Sequence, residues 1–107
     1  MPGVFKALAD PTRRRVLQLL RKKPMTAGEL SEHFAVSKPT MSAHFAALRE
    51  ANLVYAEKSG KSITYHLRLS VLEEALMGFA QTFGLGSEAD GAQAETKPTA
   101  TKEEISQ

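Results

Sequence analysis

The stretch that decides the fold is "MTAGELSEHFAVSKPTMSAHFAALREA", residues 25–51. Two helix starts are written into it. Thr26 and Glu29 have the T-x-x-E spacing of a capping box, in which each side chain accepts the other residue's backbone N–H. Met25 and Leu30 stand at the N′ and N4 positions of a hydrophobic staple. Ser37 supplies a second cap, with Lys38 at N1, Pro39 at N2 and Thr40 at N3. Pro39 is tolerated there because the N–H it lacks would have no intrahelical acceptor. Val36 and Met41 repeat the staple spacing. Two capped helices joined by a very short link have the pattern of a helix-turn-helix.

The second of these helices, residues 37–51, has a divided surface. At 100° per residue Met41, Phe45 and Leu48 fall on one side and face a core. Pro39, Ala43, Ala46 and Glu50 point away; Lys38, Ser42 and Arg49 flank one edge, Thr40, His44 and Ala47 the other. The outward start is small and polar, which lets a backbone approach a groove closely. Thr40 and Ser42 can donate or accept hydrogen bonds, and the Thr40 methyl can meet a thymine methyl. Lys38 adds charge beside the free N–H groups of the helix start, a favourable place for phosphate. His44 lies about 60° from the core stripe, where half-buried packing is preferred over a base contact.

Working outward, "VFKALA" (residues 4–9) reads as a short helix with Phe5 and Leu8 at i, i+3. In "DPTRRRVLQLLRKK", Asp10 is a good N-cap, Pro11 fits N1, and Val16, Leu17 and Leu20 form an apolar stripe. Among Arg13, Arg14 and Arg15 at least one is expected to make a structural or phosphate contact, and the sequence does not say which. After residue 51 the period changes. Val54–Lys58 and Ile63–Leu67 are β-prone runs around a tip containing Gly60, a hairpin with Lys58 and Lys61 on either side of its turn. "SVLEEALMGFAQTFG" returns to helix, with Ser70 and Glu73 as a further S-x-x-E box. Leu72, Leu76, Phe79 and Phe83 make a long stripe, and Gly84 and Gly86 an end. The fold expected is mainly α with a small β-hairpin: a winged helix-turn-helix with a helix at each end.

Composition narrows the function. The chain has 107 residues, 42% of them hydrophobic, and no cysteine. Disulfides, thiolate metal sites and cysteine nucleophiles are therefore excluded. Residues 1–86 carry 12 Lys+Arg against 7 Asp+Glu, and residues 87–107 carry 2 against 5. A basic body suggests a polyanionic partner. The 87–107 segment has one large aliphatic residue, Ile105, and is expected to be a disordered acidic tail beyond a single domain of residues 1–86. No run approaches the roughly 18 apolar residues of a membrane span, and no secretory signal opens the chain, so a cytoplasmic protein with no membrane partner is expected. Phosphate-loop and nucleophile motifs are lacking, which argues against an enzyme.

"FKALADPTRRRVLQLL", "MTAGELSEHFAVSKPTMSAHFAALREANLV" and "KSGKSITYHL" together resemble the ArsR/SmtB-type winged-helix repressors, in order and spacing, over most of residues 4–69. "VFKALADPTRRR" with "MTAGEL" and "HF-x-x-SKP" is most similar to the autorepressor branch, whose members lack a metal site. The resemblance implies a symmetric homodimer with the terminal helices at its interface and helix 37–51 in the major groove of a double-stranded, inverted-repeat operator. The DNA contacts would come from Lys38, Pro39, Thr40, Ser42, Ala43, His44 and Arg49, the wing 58–62 through Lys58 and Lys61, and Arg14. The dimer contacts would come from Val4, Phe5, Leu8, Leu72, Leu76, Phe79 and Phe83. Metal-sensing members carry paired cysteines where this chain has "AGELSEHF", or His and Glu ligands on the last helix, which here offers only adjacent Glu73 and Glu74. Neither a metal nor a cofactor is expected. Two other readings stay open: a ligand-responsive regulator with an unrecognised inducer site, and a winged-helix module that binds protein.

Overall fold

A computed structural model describes residues 3–85, so the expected tail lies outside the described residues. The backbone forms two compact units, one ending at Glu73 and the other beginning at Glu74. The first contains α1 (Val4–Leu8), α2 (Pro11–Lys22), β1 (Met25–Thr26), α3 (Ala27–Ser31), α4 (Lys38–Glu50), β2 (Val54–Ser59), β3 (Ser62–Leu67) and the start of α5 (Leu69–Thr82). The strands make an antiparallel sheet in the order β1-β3-β2. Leu30, Met41, Leu48, Leu53, Val4 and Val16 are its most deeply buried large side chains. The mainly helical winged helix-turn-helix read from the sequence is the fold observed.

Local chemistry sets the helix ends. Asp10 accepts from the amides of Thr12 (2.8 Å) and Arg13 (3.1 Å), with Pro11 behind it at N1. The Thr26–Glu29 box closes in both directions, at 2.9 and 3.0 Å. Ser37 accepts from the Thr40 amide at 3.3 Å. The end of α4 is a Schellman turn. Asn52 takes φ 63°, its amide reaches the Arg49 carbonyl, and the Leu53 amide reaches the Leu48 carbonyl. Asparagine tolerates that left-handed conformation, and the turn folds Leu53 back to complete burial with Leu48. Gly60 takes φ 60° at the first of the two tip residues of the hairpin, a conformation that glycine adopts without a steric penalty.

Three readings need correction. The pair Met25–Thr26 is a strand as well as a helix entry, with Met25 opposite Tyr65 and Thr26 opposite Thr64. Helix α5 begins at Leu69, one residue before the expected cap Ser70, and the Arg68 carbonyl accepts the amides of Val71 and Leu72 instead. Val4, expected at a dimer interface, is completely buried within its own chain, because α1 turns Val4 and Ala7 inward and leaves Phe5 outward, 46% exposed. A residue without accessible surface has none to offer a second subunit.

In the second unit Leu76, Met77, Phe79 and Phe83 are exposed, and the rings of Phe79 and Phe83 meet at 4.8 Å. Helix α5 ends as expected near Gly84, at φ 68°.

The caps carry a pH dependence. Partial burial raises the Asp10 carboxyl, but the amides of Arg13 and Thr12, with His44 and Arg13 as positive neighbours, outweigh it and hold the pKa below the usual value. Glu29 is held down chiefly by the Thr26 amide, against a smaller burial effect, with help from the Thr26 hydroxyl and Lys23. A carboxylate with a lowered folded pKa adds stability above its unfolded value, about 4, and that stability is lost as pH falls through the folded value. The melting temperature should therefore fall between about pH 5 and pH 2. Asp10→Asn keeps a competent cap but cannot titrate, so thermal melts should show a smaller acid-induced fall. An unchanged fall would remove Asp10 from this account.

Candidate nucleic-acid interface

Helix α4 shows the division of faces that its sequence predicts. Met41, Phe45 and Leu48 are buried, while Lys38, Pro39, Thr40, Ser42, Ala43 and Arg49 are exposed. The polar groups at its start are ordered rather than loose. The Ser37 hydroxyl donates to Thr40 Oγ1 at 2.9 Å while its oxygen accepts the Thr40 amide. With Thr40 Oγ1 already accepting, its own hydrogen is left to donate outward. Lys38 and Ser42 line a common cleft with Ile63 of β3. Ile63 is the cross-strand partner of Lys58. The start of α4 and the hairpin therefore lie on one side of the domain. Lys58 is exposed in β2, and Lys61 is exposed in the tip beside Gly60.

The arginine triplet divides by structure. Arg13 donates from Nε to the Ala7 carbonyl (2.8 Å), from Nη2 to the Lys6 carbonyl (3.1 Å) and from Nη1 towards His44 Nδ1 (3.4 Å). It thus closes the end of α1 and ties it to α4. A guanidinium only donates, so in this contact Nδ1 of His44 can only accept, and only when the ring is neutral. His44 is half-buried. Arg14 donates to the Leu8 carbonyl at 2.7 Å, and Arg15 to Gln18 Oε1 at 3.3 Å. Arg14, placed among the DNA contacts from sequence, is exposed and spends one donor on the end of α1. A signal for Arg13 was present: it lies three and four residues before Val16 and Leu17, on the buried face of α2. Arg13→Lys should cost about 1–3 kcal/mol of stability, because one ammonium cannot span the forked donor set. Denaturant unfolding measures this, and a cost near zero would show that the clasp is dispensable.

The outer face of the hairpin carries a stack that single residues did not reveal. The rings of Tyr55 and His66 are stacked at 4.7 Å, Arg68 lies over Tyr55 at 4.7 Å, and His66 Nε2 meets Glu57 Oε1 at 2.9 Å. No acidic residue stands near His66 in sequence at helical or ligand spacing. The antiparallel register supplies one, since Tyr55 opposes His66 and Glu57 lies two residues along the same strand. Among the described residues no three His, Cys, Asp or Glu side chains converge as metal ligands, and no helix is long and apolar enough to cross a membrane.

Comparison with known proteins agrees with this geometry. The family described as "Bacterial regulatory protein, arsR family" matches residues 10–56, from the cap of α2 into β2. The transcriptional repressor SdpR of Bacillus subtilis (strain 168) is 43% identical over 71% of this chain and 84% of its own length. The arsenical resistance operon repressor of Staphylococcus xylosus is 37% identical over 65% of this chain and 67% of its own. The crystal structure of an ArsR family transcriptional regulator superposes with a TM-score of 0.72 at 30% identity, covering 77% of this chain and 90% of that one.

Proposed function

The chain belongs to the ArsR family of bacterial regulatory proteins, a DNA-binding transcriptional regulator and not an enzyme, and from that premise we propose that it is a homodimeric repressor of an inverted-repeat operator. Helix α4 enters the major groove start first, and the hairpin tip reaches a flanking phosphate or the minor groove. Residues 1–86 do this work in the cytoplasm. The observation that carries the reading is the exposed, hydrogen-bonded start of α4, where Lys38, Thr40 and Ser42 stand outside a fully buried Met41. A helix that only had to pack needs no such ordered polar face. Autorepression is the narrower form of the proposal, with the chain's own promoter as its operator.

The test is to select duplexes from a random pool with the purified full chain and titrate binding against salt. A selected inverted repeat, bound far more tightly than random duplex, is the expected result. Binding to no duplex, or to all equally, would refute sequence-specific repression and favour a protein-binding module. Within that assay Lys61→Ala isolates the wing. If Lys61 neutralises one phosphate per subunit, its loss should flatten the slope of log K against log salt by roughly 2. The effect should be alike on selected and random duplex, because phosphates carry no sequence identity. An unchanged slope would take the wing tip off the DNA.

A further inference from the structure

The cleft that Lys38 and Ser42 share with the hairpin has a volume of about 620 Å³. That is within the size range of small-molecule sites. Its walls are largely apolar, with Val36, Met41, Phe45 and Ile63 among them. Val36 and Ile63 are 43% and 37% exposed, so each leaves apolar surface open at the cleft. Tyr65 lines the same cleft at only 5% exposure, with its ring 4.7 Å from that of Phe45. Its backbone is paired on both sides, to Met25 and to Ala56. Its phenolic hydroxyl has no hydrogen-bond partner among the described residues. A phenylalanine would pack in the same place, so packing alone does not call for the hydroxyl. A hydroxyl without a protein partner among the described residues, on a residue that walls an apolar cleft, has the arrangement of a ligand-orienting group.

We propose that this cleft is an effector site for a small uncharged ring compound bearing a hydrogen-bond acceptor, such as an aromatic ketone. The apolar walls take the ring, and the Tyr65 hydroxyl donates to the carbonyl oxygen. Exposed Glu32 and Lys38 also line the cleft and carry opposite charges, so it favours neither anion nor cation. A bound ring occupies space that Lys38 and Ser42 share, and competes with DNA for them. That competition rests on the reading of α4 as the groove-entering helix; the ligand site itself does not.

Two bicyclic probes of nearly equal size, 1-tetralone and tetralin, differ by the carbonyl alone. Each is titrated into the full chain and followed by NMR at Met41, Ile63 and Tyr65. The expected result is saturable shifts at all three positions, with 1-tetralone bound about tenfold more tightly than tetralin. Tyr65→Phe should bind the two probes alike and should melt no lower than the unmodified chain, because the hydroxyl it removes has no partner to lose. Saturating 1-tetralone should weaken binding to the selected duplex in the unmodified chain but not in Tyr65→Phe at the same concentration. No saturable shift, equal binding of the two probes, or a Tyr65→Phe chain that melts well below the unmodified one would overturn the site. DNA affinity measured without probe tests α4 separately: a chain that binds 1-tetralone but no duplex keeps the site and loses only the competition.

Discussion

Leu76→Glu is expected to split the proposed dimer and to lower affinity for an inverted-repeat duplex by about 100-fold or more, the order of gain that linked binding sites supply. In the single chain Leu76 is 48% exposed, beside Met77 at 62%, Phe79 at 44% and Phe83 at 64%. So much exposed apolar side chain on α5 and just beyond it is what the proposed dimer contact needs. A carboxylate there would be buried unpaired on association, which costs far more than the leucine contributes. Because Leu76 is half exposed without a partner, the substituted chain should remain folded, with its far-ultraviolet circular dichroism unchanged. Ultracentrifugation at micromolar concentration is the measurement. An unmodified chain that sediments as a folded monomer would remove the homodimer from the proposal, and so would a Leu76→Glu dimer that still binds the operator.

The double replacement Thr40→Ala and Ser42→Ala should have the other large effect, and of a different kind. Each lost base contact is worth something like 1–3 kcal/mol of discrimination, and a dimer loses each twice. The ratio of specific to random affinity should therefore collapse while the salt slope stays nearly constant, the reverse of the outcome for Lys61→Ala. The Ser37–Thr40 hydrogen bond sharpens this expectation. With Thr40 Oγ1 accepting from Ser37, the hydroxyl hydrogen is left to donate, and in the proposed complex its acceptor would be a thymine O4 or a purine N7. Equal losses on every duplex would mean that the start of α4 only grips backbone. No loss on any duplex would mean that this face does not meet DNA.

What the sequence determined by itself is what closes within a few residues. The Asp10, Thr26 and Ser37 caps form from groups two or three positions apart, so composition and spacing suffice to place the starts of α2, α3 and α4. The buried stripe of α4 and the Gly60 hairpin follow from periods of 3.6 and 2. Even the Asn52 turn is written locally in "ANL". The expectations that failed, or were never formed, depend on partners far along the chain. Met25–Thr26 is a strand only because β3 lies beside it, and two residues carry no strand period of their own. A five-residue helix such as α1 has too few side chains to declare its face, so the neighbouring helices decided that Val4 turns inward and Phe5 outward. His66 met Glu57 through antiparallel register, and Arg13 reached His44 across 31 positions. Tertiary packing also buried Tyr65 and gave its hydroxyl no hydrogen-bond partner among the described residues. Whether a buried polar atom is satisfied depends on every element packed around it, and no local window of sequence contains that sum.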